Sequence, residues 1–115
     1  MTKTPFSFTV DIFVKPGFEA KFVELVSGVL TAMRYEPSFI NTFLNVDPKK
    51  PGHFMLFETW FDEEDFFSNQ MKKPYRTEYE AKLLEMVSAP REIKIYKPLR
   101  SDFSVRHGEQ VVVPL

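Results

Sequence analysis

With 115 residues, 43% of them hydrophobic and 27% charged, the chain has room for one globular core and not for two. A net charge of −1 leaves no electrostatic footprint for nucleic acid or an anionic membrane, and the absence of cysteine excludes disulfides, thiolate metal sites and cysteine nucleophiles. Thirteen phenylalanines need a core, a pocket or a partner chain to cover them. Met1 to Pro5 lack the apolar stretch of a signal peptide and no run approaches transmembrane length, so the cytoplasm is the expected location.

The first element is a strand over Phe6 to Val14, alternating between Phe8, Val10, Ile12 and Val14 on one side and Ser7, Thr9, Asp11 and Phe13 on the other. Pro16-Gly17 stops it. The period then changes, because Phe18, Phe22, Leu25, Val29 and Met33 form one helical stripe. That helix must finish by Glu36, since Pro37 disfavours helical geometry in the residue before it. Phe39 to Val46 and His53 to Phe61 read as strands joined by the short turn-rich connector Asp47 to Gly52, which makes them antiparallel neighbours. Asp62 is placed to cap a second helix, with Glu63, Glu64 and Asp65 at the positive end of its dipole. Lys73-Pro74 interrupts that helix; Tyr75, Tyr79, Leu83 and Val87 continue it, and Ala89-Pro90 closes it. Arg91 to Leu99 supplies a fourth strand.

The order β-α-β-β-α-β predicts an α+β, ferredoxin-like domain: a four-stranded antiparallel sheet with both helices on one face. One domain is expected over residues 1–115, with a core over about 6–99 and a tail over 100–115. The sheet face away from the helices should be polar if it meets water. Instead it carries Phe13, and both sides of strands two and three are apolar: Phe39 and Phe43 against Ile40, Leu44 and Val46, then Phe54, Leu56 and Trp60 against Met55 and Phe57. A second copy packing sheet on sheet covers both faces, so a homodimer is expected. The apolar run Val111 to Val113 suits a tail that reaches the neighbouring subunit.

Several segments resemble the antibiotic biosynthesis monooxygenase domain of the dimeric α/β-barrel superfamily. They are Val14-Lys15-Pro16-Gly17, Arg34-Tyr35-Glu36-Pro37, Asp47-Pro48 with Pro51-Gly52, Glu58-Thr59-Trp60, Pro74-Tyr75 and Pro90-Arg91-Glu92. The resemblance implies a dimeric α/β barrel with a pocket between sheet and helices in each protomer. It also implies cofactor-independent monooxygenation of a small electron-rich aromatic, such as a quinol, phenol or anthrone. In such chemistry the deprotonated substrate itself passes an electron to dioxygen and the radical pair recombines. The protein binds the flat ring, assists deprotonation and stabilises the oxyanion.

The expected pocket residues are Val10, Leu56, Glu58, Trp60, Asn69, Tyr75 and Tyr79, with Asn69, Tyr75 and Trp60 as candidates for a catalytic part. Trp60 reads as a core or pocket-wall residue. Glu58, two residues earlier on the same strand face, needs a cationic partner such as Arg34 or a lysine if buried. Many proteins that this chain resembles carry a histidine nine residues after this tryptophan; Asn69 stands there and cannot take up a proton at neutral pH. Tyr75 and Tyr79 read equally as core packing with satisfied hydroxyls. Asn41 and Asn45 share a strand face with Phe39 and Phe43, lining either pocket or dimer interface. His53 in the hairpin and His107 in the tail read as solvated, and no metal is expected because no His and carboxylate set has ligand spacing.

Three rival readings remain. A haem-binding or haem-degrading protein of similar fold would use an asparagine on strand one and a histidine on helix two; neither is present. A non-catalytic small-molecule-binding dimer keeps the barrel without the chemistry. An RNA-recognition module shares the element order, yet Pro51 replaces the basic residue that its aromatic strand needs before Gly52.

Overall fold

The computed structural model describes residues 4–105. Its elements follow the order β1 (Phe6–Phe13), α1 (Glu19–Met33), β2 (Phe39–Val46), β3 (His53–Trp60), α2 (Glu63–Ser68), α3 (Thr77–Met86) and β4 (Glu92–Tyr96). The strands form one antiparallel sheet in the order β2-β3-β1-β4, so β1 and β2 run parallel with β3 between them. This interleaving of two β-α-β units is the ferredoxin-like arrangement. No helix among the described residues is long and apolar enough to cross a membrane. His107 and the run Val111 to Val113 lie outside the described residues.

One face of the sheet is covered. Phe6, Phe8, Val10, Ile12 and Val14 point alternately into it from β1, as period-two patterning demands, and meet Phe22, Val26, Val29 and Met33 of α1. Tyr79, Leu83 and Met86 of α3 complete the layer. Phe18 is not in this stripe: it precedes the helix, is 40% exposed, and its carbonyl accepts the Phe22 amide. Val26 takes the buried position that a four-residue step from Phe22 requires. Two 3-10 turns, Gln70–Lys72 and Pro74–Arg76, separate α2 from α3, because Lys73 is extended ahead of Pro74. Val87 lies beyond α3, extended, and pairs with Val14.

The hairpin between β2 and β3 is tied to the end of β1. Gly52 has φ of +86° and its carbonyl accepts the Val14 amide at 2.7 Å. A Cβ at this position would collide with the Val14 carbonyl oxygen, so both conformation and close approach require glycine.

The sequence pattern misassigned one strand. Phe39 and Asn41 pair with the adjacent residues Trp60 and Thr59, so Ile40 is an extra residue in a bulge. The bulge swaps faces between Phe39 and Phe43. Phe39 packs edge-on against Trp60 at 5.2 Å, inside the core. Phe43 lies with Asn41 and Asn45 on the open face, 55% exposed, with its ring 6.1 Å from Phe57. β4 is also shorter than its sequence suggests, and every one of its residues is exposed, including Ile93 opposite Val10.

Candidate functional site

Between the covered sheet face and the helices lies a cavity of about 50 Å³. Phe8, Val10 and Ile12 of β1 form its floor with Leu56 and Glu58 of β3, and Val26, Val29, Leu30 and Met33 of α1 line its wall. Phe66, Phe67, Met71, Arg76, Tyr79 and Glu80 come from α2, α3 and the chain between them, while Arg91 and Ile93 close the β4 side. The lining is mainly apolar with a few convergent polar groups, the usual character of a small-molecule site.

Glu58 is only 4% exposed. Its position on β3, opposite Phe8 of β1 and Thr42 of β2, leaves its carboxyl no route to water through the sheet. The indole Nε1 of Trp60 donates to Glu58 Oε1 at 3.0 Å. Burial pushes the Glu58 carboxyl up from its ordinary range, opposed by that hydrogen bond and by the positive charge of Arg76. Arg76 is 6% exposed, and its guanidinium carbon lies 5.5 Å from the centre of the Phe66 ring. Its Nε and Nη2 are buried and find no hydrogen-bond partner among the described residues. The Tyr79 hydroxyl is pushed up to about 12 by burial, so it serves as a neutral donor rather than a base. At the rim, Arg91 donates to both carboxylate oxygens of Glu80, at 3.1 and 2.9 Å. That bidentate pair ties α3 to the chain entering β4.

Four of the residues expected in the pocket line this cavity: Val10, Leu56, Glu58 and Tyr79. Trp60 is fully buried one layer away, between Phe39 and Phe66, and reaches the cavity through its bond to Glu58. Asn69 is exposed at the end of α2, where its Nδ2 donates to Asp65 Oδ1 at 3.3 Å. It borders a separate surface depression with Glu36, Ser38, Asp65 and Lys73. Tyr75 is half-buried, with its hydroxyl shielded from water and its ring against Arg76. Neither Asn69 nor Tyr75 lines the cavity. Asn41 and Asn45 lie on the open face, as does Asp11, whose Oδ1 is 2.8 Å from His53 Nε2. His53 is therefore an engaged side chain, also stacked on Phe13 at 4.8 Å, and not a free one.

Arg76 was missed by the sequence reading, which sought the partner of Glu58 at Arg34 or a lysine. Arg34 is exposed. The signal was present: Arg76, Tyr79, Leu83 and Met86 recur at helical spacing, which sets one cation on the buried stripe. A charge on an apolar face is the kind of departure that marks a site.

Fold and cavity together define an α+β ferredoxin-like domain with a partly open, mostly apolar cavity between sheet and helices. A family model described as antibiotic biosynthesis monooxygenase matches residues 5–74, and the chain belongs to that family. A Pestalotiopsis microspora protein provisionally named a monooxygenase is 34% identical over 93 residues, spanning 78% of this chain and 76% of its own. An uncharacterised protein of Synechocystis sp. is 30% identical over 87 residues, 76% of this chain and 58% of its own. Among solved structures, Rv0793 of Mycobacterium tuberculosis aligns with a TM-score of 0.75 at 18% identity, covering 85% of this chain and 98% of that one. A Bacteroides thetaiotaomicron protein, provisionally named an antibiotic biosynthesis monooxygenase, aligns at 0.77 and 19% identity over 90% and 97% of the two chains. At such identities the structural likeness shows the fold alone.

Proposed function

We propose that the protein is a homodimeric monooxygenase that oxygenates a small electron-rich aromatic of phenol, quinol or anthrone type without a cofactor. The observation that carries this reading is the cavity, where one buried carboxyl stands among mainly apolar walls, in a space of about 50 Å³ that widens to admit an aromatic ring. A carboxylate whose proton affinity is raised by burial is a stronger base than one in water, and it titrates closer to neutrality. Glu58 is therefore the group assigned to take the phenolic proton, with Trp60 holding its Oε1 in place. Asp11 and the tyrosines are set aside as bases: Asp11 faces the other side of the sheet, and Tyr79 keeps its proton. For an anthrone the overall change is CH2 plus O2 to C=O plus H2O, so dioxygen is the only oxidant required.

The dimer is supported by the open face, where Phe13, Phe43, Met55 and Phe57 stand among polar neighbours with no helix of the described residues over them. A second reading, a ligand-binding dimer without catalysis, is favoured by the placement of Asn69 outside the cavity at the position where a histidine would be expected. Oxygen uptake by metal-free protein with a panel of hydroquinones, catechols and anthrones separates the two. Saturable uptake, with one labelled oxygen atom from ¹⁸O₂ in the product and loss of rate in Glu58→Gln, supports the oxygenase. Background rates across the whole panel support the binding protein.

A further inference from the structure

Of the two arginines that line the cavity, one is already engaged. Arg91 is held by both oxygens of Glu80. Arg76 is not so held: it is more than nine-tenths buried, lines the cavity, and leaves Nε and Nη2 without a partner among the described residues. Two unpaired guanidinium donors inside a protein are costly, and the cost is removed by an acceptor that brings negative charge. The rings of Phe66 and Tyr75 lie 5.5 and 5.7 Å from the guanidinium carbon and the Tyr75 hydroxyl is also close to Arg76, but these are neutral groups and none brings the negative charge that the cation lacks. Glu58 lowers the local positive potential, yet no direct ion pair between Glu58 and Arg76 forms within 4.0 Å.

We infer that Arg76 anchors the ligand through an ionised oxygen, so that the cavity binds small aromatic molecules as phenolates in preference to their neutral isosteres. On binding, the phenolic O–H bond breaks, the electron pair stays on the oxygen that faces Arg76, and the proton goes to the Glu58 carboxylate. The ring lies against Phe8, Val26 and Leu56, in a cavity that widens beyond its about 50 Å³ to take it. The inference takes the cavity to be the ligand site, as the proposed function does, but it requires no oxygen and no turnover.

The two environments of the cavity act in opposite directions on a bound phenol, which makes the inference testable by sign. Apolar walls alone raise a phenol's proton affinity; a facing guanidinium lowers it. The probes are 4-nitrophenol and 4-nitrocatechol, whose ionised forms absorb visible light, with 4-nitroanisole as the neutral isostere. The bound probe is expected to ionise at least about one pH unit below the free one, and the anisole to bind at least about tenfold more weakly. Arg76→Met should lose both effects, Arg76→Lys should keep part of them, and Glu58→Gln should keep the downward shift because the cation remains.

Ionisation of the bound probe at or above the free value overturns the inference, as does equal binding of the anisole, or failure of both phenols to bind. A downward shift seen only in Glu58→Gln also overturns it, since Arg76 would then be committed to Glu58 in the native protein. The native protein alone decides sign and selectivity, so a poorly folded Arg76 variant does not rescue the idea. If the shift is found and no phenol drives oxygen uptake, the oxygenase reading fails and the anchor stands.

Discussion

The two faces of the sheet are built from the same four strands and differ in nearly every physical respect. On the helix side, side chains interdigitate around the cavity: Trp60, Phe22, Ile12 and Met33 are fully buried. The ionisable groups there, Glu58 and Arg76, are inside the protein with shifted or unpaired chemistry. On the open side, aromatics alternate with hydrogen-bonded polar groups, as in the His53–Asp11 pair and the Asn45 side chain that donates to the Met55 carbonyl. The difference teaches that burial by helices, and not strand composition, turns polar residues into a site. A carboxylate on the open face, Asp11, finds a histidine and keeps part of its surface exposed; one on the covered face finds an indole N–H and a distant cation.

Four experiments probe this comparison, from the largest expected effect to the smallest. Replacing Trp60 by Ala removes a fully buried aromatic that bridges Phe39 and Phe66, and should lower stability by about 3–5 kcal/mol in urea unfolding. Loss of less than about 1 kcal/mol would mean that the covered face is not the core described here.

The open face should behave in the opposite way. Phe43→Glu with Phe57→Glu puts two charges at a proposed sheet-on-sheet contact and should convert a dimer to a monomer in sedimentation velocity, with the fold retained by circular dichroism. A native protein that sediments as a stable monomer would sink the dimer reading outright.

Glu58→Gln separates the faces by their response to pH. Because the folded Glu58 holds its proton more tightly than the unfolded one, its contribution to stability is complete below the ordinary glutamate range and is lost as pH rises through the folded value. The glutamine variant keeps an acceptor for Trp60 Nε1. It should be more stable than the native protein at pH 7, and the difference should shrink as pH falls into the ordinary glutamate range. Equal thermal unfolding profiles from pH 4 to 8 would contradict a buried, proton-holding carboxyl.

The smallest effect concerns how α2 is held over the covered face. Asp62 accepts the Asp65 amide at 3.3 Å as the N-cap. Asp62→Ala should cost about 1 kcal/mol, measured by thermal unfolding, without changing probe selectivity in the cavity.

How much of this was legible beforehand varies by element. The existence of the hairpin strands, the Asp62 cap and the Lys73-Pro74 break follows from local chemistry and was readable in the sequence. The stripe of α1 was nearly so, since its helical period is clear and only its first turn was misplaced at Phe18. The bulge at Ile40 was not readable, because an extra residue in one strand shows only against its partner's register. Of the site, Val10, Leu56, Glu58 and Tyr79 were legible as inward-facing positions; Tyr75, placed by helical spacing, packs against the core without lining the cavity, and Asn69, placed by resemblance, is exposed.

By itself, the sequence determined the element order, the antiparallel β2–β3 hairpin, the family and a carboxyl on the same strand face as the single tryptophan. These depend on spacing, turn chemistry and alternation, which act over a few residues. Only the tertiary structure decided which cation faces Glu58 and which strand residues meet the helices. It also decided where the cavity lies, because residues from β1, β3, α1, α3 and β4 come together there across long stretches of chain. Arg76 carries an ordinary surface side chain in the sequence; the fold closes over it, and an unpaired buried charge is what calls for a ligand.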